Sequence, residues 1–175
     1  MLPSPHPRAS SFLGTGEKAD FSKLCEVGQE RANALAANYL GRDASNLLFA
    51  QGEEPGAILA ITLHTLELAE PLAATWGKPL MLYPVVHQKG MDDKVIEKTL
   101  NRRTQEAAHD VMTDPRYAGK TVVMVWEHKR IANKKLENAM SGEEVTFRQF
   151  LNLDQLPGVP EPWPSGTYDY FWIAE

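Results

Sequence analysis

Glu127, His128, Lys129 and Arg130 stand together where the apolar run T-V-V-M-V-W (Thr121 to Trp126) stops. An imidazole beside a carboxylate can move a proton near neutral pH, and Lys129 and Arg130 are cations within reach of a bound ligand. A second imidazole, His64, follows the apolar run Ala57 to Ile61 through Thr62 and Leu63. A third candidate is the turn Gly14-Thr15-Gly16 with Glu17 and Lys18 after it, because backbone N–H groups in a glycine turn can hold an anion. Each has an ordinary counterpart. Glu-His-Lys-Arg also suits a solvated turn opening a helix, His64 also suits a helix cap or a buried carbonyl, and G-T-G is a common turn. His87 and His109, in a loop and on a polar helix face, are assigned no role.

The elements that would position these residues alternate along the chain. Residues 1–8 carry three prolines and read as a loose arm, and residues 9–175 read as one domain. Ala9 to Leu13 suits a short first strand. Leu24, Val27, Ala32, Leu35, Ala36 and Leu40 fall on one helical face that stops at Gly41. Ala57 to Ile61 is a second strand; the next helix is kinked or begun near Pro71 and closed by Gly77, and Leu80 to Val86 is a third strand. Met91 to Met112 is the longest helical stretch, its charges forming a solvated face. Thr121 to Trp126 reads as a central strand buried on both faces. One amphipathic helix carries Ile131, Leu136 and Met140, and Tyr168 to Ile173 reads as a final strand. The expected class is α/β, a three-layer helix–sheet–helix with a mostly parallel central sheet. Ligands of such sheets bind at the carboxyl ends of the strands. A pocket is therefore expected from residues near 14–18, 60–65 and 127–130.

Composition narrows the function. At 175 residues and 43% hydrophobic, the chain suffices for one domain with a real core. A net charge of -5 with dispersed Lys and Arg argues against nucleic acid as a partner, and no apolar run reaches membrane-spanning length. The single cysteine, Cys25, excludes an intrachain disulfide and any cysteine-rich metal site. No H-x-x-x-H or H-E-x-x-H spacing suggests a metal, and no cofactor is expected. The start lacks a secretory h-region, so the expected location is cytoplasmic. A homodimer is compatible with the pattern.

Several motifs, taken in order, resemble one family. L-C-E-V-G-Q-E-R-A (Leu24 to Ala32) resembles an L-[ST]-x-x-G-x-x-x-A helix start, and A-E-P-L-A (Ala69 to Ala73) resembles a Q-T-A-x-P-L-A segment. W-E-H (Trp126 to His128), followed by W-P-x-x-x-Y-D-x-x-W from Trp163 to Trp172, resembles a short branch in which W-E-H carries a catalytic histidine. These are motifs of the histidine phosphatase superfamily, with its phosphoglycerate-mutase-like fold, and the resemblance spans most of residues 9 to 174.

The resemblance implies an attacking histidine in an R-H-G motif at the end of the first strand, with arginines and a second histidine holding the phosphoryl oxygens. L-G-T-G-E-K (Leu13 to Lys18) resembles R-H-G-E-K, with Gly14 at the arginine position and Thr15 at the nucleophile position. The family's S-x-x-x-R-x-x-x-T becomes Ala60, His64 and Leu68. Only His128 keeps its expected role. Loss of a nucleophile from a concerted site lowers the rate by on the order of 10⁴ to 10⁶, and imidazole cannot reproduce a guanidinium fork on phosphate. The expectation is a phosphatase-like protein that binds a small-molecule ligand or a partner without phosphohistidine chemistry. A repurposed enzyme is the alternative, with His128, His64 and Glu127 as proton-transfer groups on a non-phosphorylated substrate; a weak phosphomonoesterase is the second.

Overall fold

Ala57–Ala60 is the strand on which the structure is built. Its four residues are at most 6% exposed, and it pairs in parallel with a strand on each side. The computed structural model describes residues 23–88, 90–163 and 170–174. The arm at 1–8, the strand expected at 9–13 and the turn with Gly14, Thr15 and Glu17 lie outside the described residues.

In order, the elements are α1 (Glu26–Leu35), β1 (Ala57–Ala60), α2 (Leu63–Trp76), β2 (Leu80–Leu82), α3 (Asp93–Thr113), β3 (Val122–Val125), α4 (His128–Ile131), α5 (Lys134–Ala139) and α6 (Phe147–Phe150). Among the described residues the strands form one parallel sheet in the order β2-β1-β3. The fold is α/β. Ala57 and Leu59 face one cluster, with Leu100 and Ala107 of α3, Trp126 and Phe147. Ile58 faces a second cluster, with Ala69, Leu72, Ala73 and Trp76 of α2 and Ala36. Period-two alternation along β1 thus supplies both cores.

The strand at 121–126 differs from its expected place. Within the described sheet β1 is in the middle and β3 at an edge, and all four β3 residues are half-buried. Its side chains still divide, Val122 and Met124 to one cluster and Val123 and Val125 to the other. An uninterrupted apolar run signals two packed faces but says nothing about rank within a sheet.

Helix α1 runs on as a π turn, Ala36–Leu40, and stops at Gly41 as expected. A Cβ on Gly41 would lie 2.4 Å from the carbonyl oxygen of Ala36, so the close turn requires glycine. The Trp76 indole then donates to the Leu40 carbonyl at 2.7 Å, fastening this end to α2. Helix α2 passes through Pro71 without ending there. It begins earlier, at a reciprocal cap in which Thr62 and Thr65 each accept from the other's backbone N–H, and it closes on Gly77 at φ 61.

Two further expectations change. The single helix expected around Ile131 to Met140 is two short ones, because Ala132 and Asn133 are extended. The chain near Trp163 explains the break: Trp163 N–H donates to the Ala132 carbonyl at 2.9 Å, and Asn133 forms an antiparallel bridge with Pro162. Asn133 also caps α5, accepting from Leu136 N–H at 3.0 Å. In the final stretch, residues 170–173 form no strand. Their rings pack instead: Tyr170 and Trp172 lie 6.2 and 6.0 Å from Trp163, and Phe171 lies 5.7 Å from Tyr39. Alternating aromatics satisfy a strand pattern and a ring-packing pattern equally well.

Candidate functional site

The carboxyl ends of the three strands each deliver a histidine. His64 follows β1, His87 follows β2 and His128 follows β3. The chain winds from β1 to β2 on one side and then crosses to place β3 on the other, so the winding reverses at β1. Open α/β sheets bind ligands at such a reversal.

His64 is in the first turn of α2, two residues after the Thr62 cap. The Thr65 hydroxyl donates to the Thr62 carbonyl at 2.9 Å and accepts from the N–H groups of Ile61 and Thr62 at 3.0 and 2.8 Å, which fixes the turn. The Thr62 hydroxyl lies 3.3 Å from Nδ1 and 3.2 Å from Nε2 of His64. An oxygen almost equally far from both nitrogens lies on neither nitrogen's in-plane lone-pair axis, so it makes only a bent bond to either. Burial pushes the His64 imidazole below the usual histidine value; Glu127 opposes this, His87 adds to it, Glu67 opposes and His128 adds. Glu127, His87, Glu67 and His128 thus lie near enough to His64 to influence its proton.

Glu127 and His128 are held as a pair, with His128 Nδ1 3.1 Å from Glu127 Oε1. The other carboxylate oxygen, Oε2, accepts from Lys129 N–H at 3.0 Å and caps α4. The Glu127 side chain is 16% exposed and that of His128 44%, so the carboxylate is anchored and the imidazole is open to solvent. Lys129 is exposed. Arg130, expected at the ligand, is fully buried and forms an ion pair with Glu97 of α3. Its guanidinium serves the contact between α3 and α4.

A cleft of about 320 Å³ opens at His64, between the β1–α2 turn and the chain after β2. Leu63, Leu66, Leu82, Val85 and Val86 form most of its wall, with His64, His87 and Thr62 as polar groups. The backbone there continues the pairing beyond the strands, Tyr83 N–H to the Ala60 carbonyl and Val85 N–H to the Ile61 carbonyl, both 2.9 Å. The cleft therefore approaches His64 from the β2 side, while Glu127 and His128 stand on the β3 side. A wider depression of about 490 Å³ runs along α3, but its polar groups already have partners. Tyr83 donates to Asp110 at 2.7 Å, and Arg103 pairs with Glu106 at 2.6 Å.

The structure thus brings together His64, Glu127 and His128, places Arg130 elsewhere, and adds His87, which spacing left without a role. The missed signal was positional: His87 ends the third apolar run, as His64 and His128 end others. Among the described residues no group of three His, Cys, Asp or Glu could hold a metal ion, and no helix is long and apolar enough to cross a membrane. Comparisons with protein-family models, curated proteins and solved structures return no match to this chain.

Proposed function

We propose that this chain is a divergent histidine-phosphatase-fold protein, with the three-layer phosphoglycerate-mutase-like arrangement, that has lost phosphohistidine chemistry and binds a small ligand at the carboxyl edge of its sheet. The observation that carries the reading is the wall of the cleft. Among its described residues there is no arginine or lysine, and His64 stands where the family's motif has an arginine. A phosphoryl group would meet two imidazoles and aliphatic side chains in place of guanidinium forks. A cytoplasmic location belongs to the same reading, which is compatible with either a monomer or a homodimer.

The test is phosphate release from a broad panel of phosphomonoesters, with His128→Ala beside the parent protein. No turnover in either is expected. Turnover that disappears in the variant overturns the proposal and makes the protein a phosphomonoesterase. A second reading, an enzyme acting on a non-phosphorylated substrate, is favoured by the Glu127–His128 contact at 3.1 Å, which suits a base and the group that orients it. On that reading His128→Ala and His64→Ala each lower turnover of the substrate, and unchanged turnover in both rejects it.

A further inference from the structure

We infer that the cleft beside His64 takes an electrically neutral, largely apolar small molecule with a single hydrogen-bonding group, its body on Leu66, Leu82 and Val86 and its polar group at His64. The inference rests on the proposed ligand-binding reading and names the ligand class of that site.

Three observations carry it. The volume, about 320 Å³, lies at the lower end of the roughly 300 to 1,000 Å³ typical of small-molecule sites, so the occupant is compact. Large apolar side chains from two stretches converge on it while remaining exposed: Leu63 of α2 at 41%, and Leu82 and Val86 of β2 and the chain after it at 48% and 62%. Water there is displaced by an apolar body with a gain in free energy. The third observation is charge. The described lining holds no Asp, Glu, Lys or Arg, so among the described residues neither an anion nor a cation finds a counter-ion in the wall.

His64 suits the single polar contact. Among the described residues its ring nitrogens face only the bent approach of the Thr62 hydroxyl, so an incoming hydroxyl, phenol or amide can make a straighter bond than these residues provide. The neutral imidazole offers one donor and one acceptor, which matches a neutral group of either polarity.

Three probes with the same apolar body and different charge test the inference: 2-naphthol, 2-naphthoate and 2-naphthylmethylammonium, titrated at pH 7.5 by calorimetry and by the imidazole resonances of the full chain. The expected order is 2-naphthol about tenfold or more tighter than either ion, because each ion must shed its hydration without gaining a partner. Val86→Glu, on the exposed rim, is expected to weaken 2-naphthol binding by about tenfold while leaving the fold unchanged by circular dichroism. His64→Phe is expected to preserve apolar binding and to remove the preference for 2-naphthol over naphthalene. Equal or tighter binding of 2-naphthoate overturns the inference, as does 2-naphthol binding unmoved by both substitutions. A dimer in light scattering that Val86→Glu dissolves also overturns it, making the face a contact between copies. If 2-naphthol does not bind but neutral sugars shift the His64 resonance, the ligand class fails and the binding function stands. If 2-naphthol binds as expected and phosphomonoesters are also hydrolysed through His128, the cleft stands and the proposed function fails.

Discussion

The indole nitrogen of Trp126 donates to the Thr104 hydroxyl at 3.0 Å, and the same hydroxyl donates to the Leu100 carbonyl at 2.8 Å. The bond joins the residue just before Glu127 and His128 to the middle of α3. Thr104 is fully buried and Trp126 is 7% exposed, so water cannot replace the contact. Thr104→Val keeps the volume and strands the indole N–H, with an expected loss of about 1 to 3 kcal/mol. Urea unfolding of the two proteins measures it, and a shifted His128 resonance in the folded variant would report that the anchor also positions the site.

The buried pair Arg148 and Glu137 makes a sharper case. Their atoms Nη1 and Oε2 are 2.9 Å apart, both side chains are 5% exposed, and the Thr146 hydroxyl donates to the other Glu137 oxygen at 2.8 Å. Arg148→Met abandons a buried carboxylate and is expected to cost about 3 to 5 kcal/mol. Pairing it with Glu137→Leu should recover most of that loss. A double-mutant cycle in urea checks both, and a double variant as unstable as the single one would contradict the desolvation argument.

At Gly41 the constraint is geometric. Alanine would bring its Cβ to 2.4 Å from the Ala36 carbonyl oxygen, a backbone atom that cannot swing aside. Gly41→Ala is expected to lower stability by about 1 to 3 kcal/mol, the usual cost of forcing atoms into a packed site. Gly52, whose missing Cβ has open space around it, is the control for crowding, although its positive φ adds strain of its own. Melting temperatures of both variants give the comparison.

The pH dependence follows from His64. Burial holds its folded value below that of the unfolded chain, so unfolding takes up a proton as the solution is acidified. The sign is fixed: this contribution is intact above the unfolded histidine value, near 6.5, and is lost as pH falls through the folded value. His87 and His128 work in the same direction, and Glu127 and Glu67 oppose. His64→Phe should flatten the acid slope of stability below about pH 6.5, measured by urea unfolding between pH 5 and 8. An unchanged slope would mean the ring is equally at ease charged in both states.

Local patterns announced themselves in the sequence, and long-range ones did not. Gly41, Gly77 and the runs at 57–61 and 91–112 mark their elements because chain stereochemistry and apolar periodicity act over a few residues. The break at Ala132 is set by Trp163, a partner 31 positions away, and no local rule anticipates it. The same holds for the site. His64, Glu127 and His128 were legible as residues at strand ends, but their mutual approach needs the β2-β1-β3 order, and Arg130 turns away because Glu97 sits on another helix. His87 became visible only once β2 was seen to run parallel to β1.

The strand order has a consequence for how the chain is born. Ile58 pairs with Leu80 across one helix, but Ala57 must find Val122, much later in the sequence. During synthesis β1, α2 and β2 can therefore close while Val122–Val125 is still unmade. Until it emerges, the far flank of β1 displays bare amide and carbonyl groups on an entirely apolar strand, the kind of edge on which stray chains nucleate. The hazard for this protein lies in the interval on the ribosome between translation of residue 82 and of residue 125, and slowing elongation there would lengthen it.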